Sequence, residues 1–453
     1  MKISKKELIL KGNIYKVLVT LSLPIMINNL IQTMYNLVDG IWVSKISSVH
    51  FAATAFVFPV NFLFIAIGIG ISVAGTSILS QLVGADREER AREYAAQLIG
   101  ISVVLSVFFS IFGVAATPMI VKAMGGTGDL AVYSNIYLRI TFLDLPFLFL
   151  FYNINSIRNA QGDTITPTVL SGISAILNMI LDPIFIFTFG WGIAGAAWAT
   201  LLSRALLSIY GVRLILGHDN ALRPDFKGFR FNGEILRELS RIGFPAAIGQ
   251  SGAAFGFIIL NGFIVSYGTA TMAAFGMVNR ITSLIMQPAM GIGAALTAVI
   301  GQNIGARFYD RVRESFRKAS LLTLTLGIGG GLVMFLFREP IVNFFIQSKD
   351  DPNVITQGIV YLSWISFSTP MMGMFSVFQG VFQGSGHTKY SMAMEIGRLW
   401  LVRIPLILLF KNFTDIGPTG IWFSMVFSNL LVVVFGLYIY KRGSWSEQVL
   451  TSA

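Results

Sequence analysis

Several ionisable and amide side chains of this sequence fall inside or at the ends of long apolar runs, where a charge is costly and by default points to function. Asp39 closes the first such run, after Gln32, Tyr35 and Asn36. Asp182 lies within the run 166–188, and Asn178 stands one helical turn before it, so both share a face. Pro183 follows at once. A proline there removes a backbone donor and frees the carbonyl about four residues earlier, near Met179. Carboxylate, amide and spare carbonyl make an oxygen-rich pocket that suits a proton or a small cation. Thr200, in the next run, adds a hydroxyl. The plainer alternative for Asp39 is a solvated carboxylate at the outer interface.

Other polar groups point less sharply. Asp144, beside Pro146, reads equally as a helix-packing or interfacial carboxylate, and Glu395, Arg398 and Arg403, at helical spacing, read as an internal ion pair. Asn153 and Asn155 are candidates to line a cavity. Met26, Met286, Met290, Met371, Met372 and Met374 read as packing or as an adaptable apolar surface for varied ligands.

Some chemistry is excluded. There is no cysteine, so no disulfide, thiolate chemistry or cysteine zinc site. His50, His218 and His387 are the only histidines and form no metal-binding pair, and no phosphate-binding Walker sequence is present. An intramembrane enzyme therefore lacks a catalytic set, and a receptor or structural role would show no ion-dependent flux. No cofactor is expected from these residues.

The elements that must hold these groups are membrane helices. Of 453 residues 54% are hydrophobic and only 12% charged, against about 25% charged in soluble chains. A spanning helix needs roughly 20 apolar residues. Suitable stretches fall near 17–43, 52–80, 94–117, 133–158, 166–188 and 192–216, and again near 240–266, 271–300, 316–337, 358–382, 389–410 and 418–440. Between the sets lies the basic segment 217–238 with Pro224, Gly228 and Gly233, the natural linker. The expected fold is thus an all-α polytopic membrane protein of twelve helices, in lobes 1–216 and 239–453 joined by 217–238.

The net charge of +11 resides in one set of loops, which argues for a membrane protein and against nucleic acid. Lys2, Lys5, Lys6, Lys11, Lys16, Arg87, Arg90, Arg92, Arg158, the linker arginines, Arg307, Arg311, Arg313, Arg317, Lys318, Lys389, Lys441 and Arg442 fall on one side; Lys45, Lys122, Arg338, Lys349 and Lys411 fall on the other. The positive-inside rule then places both termini in the cytoplasm of a cell whose inner membrane the chain crosses. No cleavage site follows the first run, which stays as a membrane helix.

The halves repeat. Gln81, Gly84, Ala85, Arg90, Arg92 and Glu93 recur as Gln302, Gly305, Ala306, Arg311, Arg313 and Glu314; Pro24 recurs as Pro245, Tyr137 and Pro146 as Tyr361 and Pro370, Pro183 as Pro405, and Gly192 and Gly195 as Gly417 and Gly420. Two even-numbered halves share one membrane orientation, so their pseudo-two-fold axis runs along the membrane normal. Two such lobes leave a cleft that can open to either side.

The first run, LPIMINNLIQTMYNLVDGIWVSKIS, resembles the opening of multidrug and toxic compound extrusion (MATE) transporters, as do SQLVGADREERARE, IRNAQGDTITPT, LNMILDPIFIF and GIAGAAWAT, over about residues 15–440. The resemblance implies two six-helix lobes around a central cavity and export of organic, mostly cationic compounds in exchange for H+ or Na+. It implies a coupling site at Asp39, Asn178, Asp182 and Thr200, a first-helix bend at Pro24, and cavity positions at Gln32, Tyr35, Tyr137 and Asn155. Membrane lipids are the expected surroundings and a monomer the expected state. NorM-type members also carry acids on the seventh and tenth helices, whereas AAFGFIILNG and TPMMGMFSVFQG contain none. The chain therefore looks more like the DinF-type branch. Within the repeat, Asp182 aligns with Ile404 and Asn178 with Trp400, so coupling is expected on one side only. Lipid-linked oligosaccharide flippases are similar in architecture, but a basic central cavity would be expected of them.

Overall fold

A computed structural model describes residues 5–345 and 352–446; Lys2 and Lys349 lie outside the described residues. All regular structure among the described residues is helical. The first half comprises α1 (Lys5–Lys11), α2 (Ile14–Ser44), α3 (Ser48–Gly84), α4 (Glu88–Ala123), α5 (Gly128–Ala160), α6 (Ile165–Pro183), continued by a π-helical turn Ile184–Thr188, and α7 (Gly192–Leu216). The second half comprises α8 (Gly233–Val265), α9 (Thr269–Gly305), α10 (Tyr309–Leu336), α11 (Arg338–Phe345), α12 (Pro352–Ser366) and α13 (Thr369–Gly384), then α14 (Thr388–Ile396), a π-helical segment Gly397–Arg403, α15 (Ile404–Phe413) and α16 (Thr419–Arg442).

Ten of these segments are long and apolar enough to cross a membrane uninterrupted. The other two of the twelve expected stretches are composite. The tenth breaks between α12 and α13, because Pro370 cannot donate to the turn before it. Thr369 Oγ1 lies 2.8 Å both from Ser366 O, the carbonyl so freed, and from Gly327 O of α10, and can donate to either. The eleventh runs through the π-helical segment before Ile404 and Pro405.

Several helices start outside their apolar run because side chains cap them there. Asn13 accepts from Lys16 N at the start of α2, Ser47 from His50 N at α3, and Asn232 from Glu234 N at α8. α8 thus begins inside the stretch read as linker, and only 217–232 connects the halves. That connection lies on α4: Gln97 Nε2 donates to Arg230 O at 2.6 Å, Arg92 Nε to Ala221 O at 2.8 Å.

The halves exchange their first helical turns. Ile14, Val17, Leu18 and Leu21 of α2 pack with Ile292, Leu296, Phe378 and Phe382 of the second half. Reciprocally, Ile235, Leu239 and Ile242 of α8 pack with Ile78, Leu82, Leu98 and Ile154 of the first. Packing therefore crosses the sequence boundary between lobes at both ends, and the repeated prolines Pro24 and Pro245 follow these exchanged turns.

The halves meet most tightly at the end that carries α1, where residues 74–84 of α3 are all buried. There α3 and α9 cross with no side chain between them. A Cβ on Gly84 would lie 2.0 Å from Gln302 O, and one on Gly305 would lie 1.9 Å from Gln81 O. The two glutamines pin the crossing: Gln81 Nε2 donates to Gly384 O at 2.9 Å and Gln302 Nε2 to Ala160 O at 2.7 Å. The repeated Gln-x-x-Gly is thus one contact made twice. α1 lies across the same end as a strap. Its Ile9 is fully buried, Lys5 pairs with Asp163 at 2.7 Å and Lys6 with Asp86 at 2.5 Å, and Arg311 of the second half donates to Ile9 O and Gly12 O.

Candidate functional site

Asn178 and Asp182 sit on one face of α6 and are fully buried. The face turns inward because the rest of α6 presents Val169, Ile173, Ile176 and Ile180 outward. The Asn178 amide is satisfied on both sides when its nitrogen donates to Asp182 Oδ2 at 3.0 Å and its oxygen accepts from Thr200 N at 3.1 Å. Thr200 reaches this point because α7 packs against α6, and its hydroxyl shares a hydrogen with Tyr35 OH of α2 at 3.0 Å. Three helices therefore converge on one polar chain, Asp182–Asn178–Thr200–Tyr35. Asp39 follows Tyr35 by one turn of α2, on the same face. Its Oδ1 is buried and has no hydrogen-bond partner. An unpaired buried carboxylate oxygen is costly, and a proton or cation taken up there would remove that cost.

The other expected residues divide. Gln32 lines a small pocket of about 40 Å³ together with Tyr35, Thr200 and Ser171. Asn36 is exposed and accepts from Gln32 Nε2 at 3.4 Å, and it is not in the pocket wall. Tyr137 packs against Ile140, Ala197 and Leu201 between α5 and α7. Asn153 is fully buried and accepts from Ser102 Oγ of α4 at 3.2 Å, so it joins α5 to α4 instead of lining the pocket. Asn155 is half-buried with an unpartnered Oδ1. Pro183 ends α6, and the π-helical turn follows it directly. Thr168 Oγ1 donates to the carbonyl of Pro24 at 2.9 Å, tying α6 to α2 beside that proline.

One residue of this region escaped the sequence reading. Arg204 lies one turn after Thr200 on α7, lines the same pocket and donates to Asp144 Oδ2 of α5. Asp144 is thus an ion-pair partner inside the bundle, with its side chain only 4% exposed. The visible signal was a basic residue within the apolar run 192–216.

The second half repeats the scaffold with other chemistry. The spacing that pairs Pro146 with Pro370 pairs Asp144 with Ser368, and that pairing Gly195 with Gly420 pairs Arg204 with Asn429. Asn429 does donate to Ser368 Oγ. The Asn429 oxygen accepts from Arg403 Nη2 at 2.8 Å and Arg398 Nη1 at 3.3 Å, and Arg398 also pairs with Glu395 at 3.3 Å. This confirms the expected Glu–Arg pair and places a second guanidinium beside it. No cluster of three or more His, Asp or Glu able to hold a metal occurs among the described residues.

Comparison with known proteins accords with this arrangement. The chain is 27% identical to the "Probable multidrug resistance protein YpnP" of Bacillus subtilis (strain 168) over 441 residues, 97% of this chain and 98% of that one. Its fold matches a structure described as the outward-facing conformation of a multidrug resistance MATE family transporter of the MOP superfamily, at a TM-score of 0.90 and 27% identity, covering 98% of this chain and 99% of that one. It matches a MATE in the bent conformation at a TM-score of 0.91 and 27% identity, covering 98% of both. The family is one of transporters, not enzymes, and a cofactor is not expected of it. The MatE family model matches residues 24–184 and 245–409, one segment in each half, and the chain belongs to the MATE family of multi-pass drug efflux transporters.

Proposed function

We propose that this chain is a secondary active antiporter that exports cationic, amphipathic organic compounds in exchange for H+ or Na+. The carrying observation is the buried chain Asp182–Asn178–Thr200–Tyr35 with the unpartnered Asp39 oxygen one turn away. The Asp39 carboxylate, with one buried oxygen lacking a partner and a second buried acid, Asp182, on α6, is a switch, since one added cation or proton changes the balance of the whole pocket. The stretches AAFGFIILNG and TPMMGMFSVFQG of the second half carry no acid, and Glu395 there is paired with Arg398, which supports the DinF-type branch and coupling through the first half.

In the cycle, the lobes 1–216 and 239–453 rock about the connection between them, and the polar pocket takes up its ion from outside. With the basic loops and both termini in the cytoplasm of the inner membrane, the tight α3–α9 crossing closes the cytoplasmic side, so the structure is the outward-facing state. Ion uptake at Asp39 and Asp182 relaxes α2 at Pro24, shrinks the first-half cavity and expels the bound cation. The pocket of about 40 Å³ holds an ion or a small head group, not a drug. The protein works as a monomer.

The test is reconstitution in liposomes with proton and sodium gradients imposed separately, following ethidium. Flux should run under one gradient and stop in Asp39→Asn while that variant still inserts. Ethidium flux that is unchanged in Asp39→Asn, or independent of both gradients, refutes the antiport reading.

A further inference from the structure

Arg204 is not needed for the ion site as described, and the pocket it lines has an unexpected composition. Its polar lining residues are Arg204, Tyr35, Thr200, Ser171, Ser174, Ser203 and Gln32, with no carboxylate among them. Asp144 holds the guanidinium through one nitrogen from outside the pocket wall, and the Arg204 side chain stays 23% exposed. The Asp144 oxygen not used in that pair is buried and has no partner. A guanidinium pre-oriented by one carboxylate, with the rest of its N–H fork turned to a cavity ringed by hydroxyls, is arranged to receive an oxyanion. The size agrees, because about 40 Å³ accommodates a carboxylate head while the remainder of a ligand stays in the cleft. The related contact of the second half, Asn429 to Ser368, makes the same helix-to-helix bridge without charge. The bridge alone therefore does not require Arg204.

We propose that Arg204 is a specificity residue of the efflux pocket that binds an anionic oxygen group of the substrate, so that carboxylate-bearing zwitterionic amphiphiles are preferred over their purely cationic counterparts. This rests on the efflux reading, with the coupling ion at Asp39 and Asp182 and the anionic group of the substrate at Arg204. The guanidinium attracts an oxyanion and repels a simple cation.

A matched dye pair separates the two classes. Rhodamine 110 carries a free carboxylate, and rhodamine 123 is its methyl ester and a cation. Binding of each to the purified full chain is read by fluorescence anisotropy, with benzoate as competitor. One charge-assisted hydrogen bond is worth about tenfold in affinity. The acid should bind about tenfold tighter than the ester, and benzoate should displace the acid selectively. The double variant Asp144→Ser with Arg204→Asn grafts the neutral pair of the second half into the first. It should abolish the discrimination while its thermal unfolding stays close to that of the parent. Benzoate competition in the parent keeps the test decisive should that variant fail to fold. Equal or weaker binding of the acid in the parent, a preference that survives in the double variant, or no binding of either dye overturns the proposal. Ethidium flux in liposomes reports the efflux reading separately: flux without discrimination refutes this proposal alone, and discrimination without flux refutes efflux alone.

Discussion

The α3–α9 crossing offers a direct way to bias the conformational equilibrium. In Gly84→Ala the new methyl would sit 2.0 Å from Gln302 O and 2.7 Å from its carbonyl carbon; in Gly305→Ala it would sit 1.9 Å from Gln81 O. These neighbours are backbone, so no rotamer change relieves the overlap, and ordinary contact requires well over an ångström more. Overpacking of this kind costs about 1–3 kcal/mol. Here the cost falls only on the state in which the halves touch, because moving them apart at that end removes the clash. The ratio of the two states should therefore shift by about five- to 150-fold toward the one open at the α1 end. The two substitutions meet across one crossing, so their effects will not add. The absence of cysteine makes spin labelling clean. Labels at Glu89→Cys and Asp310→Cys, both exposed beside the crossing, should give one short distance in the parent and an added longer population in each variant. Gly276→Ala is the control, since it lies on the same helix α9 with nothing within 4 Å of the new methyl. Unchanged distance distributions in both glycine variants would refute the view that this contact holds the closed end.

Thr200→Val keeps the shape but removes the hydroxyl that meets Tyr35 at 3.0 Å. It should cost about 0.5–1.5 kcal/mol in thermal unfolding and weaken coupling-ion affinity in the liposome assay. Arg311→Ala removes the hydrogen bonds to Ile9 O and Gly12 O, so α1 should undock and trypsin should cleave after Lys5, Lys6 or Lys11 faster than in the parent. Asp163 lies in the loop between α5 and α6, where burial pushes its carboxyl up but hydrogen bonds from Lys5 and Thr166 outweigh this and hold it below the usual carboxylate range. A depressed folded-state value means that its stabilisation is present above the ordinary Asp range and is lost as pH falls through the folded value. The difference in melting temperature between the parent and Asp163→Asn should thus be full near neutrality and vanish in strong acid.

Much of this was legible in the chain because a membrane imposes it. Length and apolar runs give the number of the spans, and the repeat gives the symmetry. Boundaries were less legible. α4 starts at Glu88 and α8 at Gly233, since polar turns outside the bilayer carry no hydropathy signal; at α8 it is the Asn232 cap that sets the start. The strap α1 looked like a run of topogenic lysines; its Ile9 is buried in one cluster with Ile304 and Val312, and its carbonyl accepts from Arg311, some 300 residues away. Within the site, Asn178 and Asp182 could be joined from sequence because a helical turn separates them. Asp144 could not be assigned a role, because its partner Arg204 comes from another helix and only tertiary packing brings it near. Asn153 looked like a cavity residue and proves to face Ser102, since polarity in an apolar run does not say which neighbour it faces.

The duplication separates what the fold requires from what transport requires. Positions related by the repeat make the same contacts where the contact is architectural: Gln81 and Gln302 both anchor the crossing, and the fourth and sixth spans of each half are bridged at Asp144–Arg204 and at Ser368–Asn429. Where the chemistry differs at equivalent positions, packing alone does not account for the residue, because the sister half manages without it. By that criterion Asp182, aligned with Ile404 in the repeat, and Arg204, aligned with Asn429, are residues whose charge the shared scaffold does not require. Arg398 and Arg403 occupy the corresponding interior of the second half, and with Glu395 they leave one positive charge in excess where the first half has its unpaired acids. A second half made positive in this way repels a small cation. On the antiport proposal, the coupling ion is therefore expected in the half that carries Asp39.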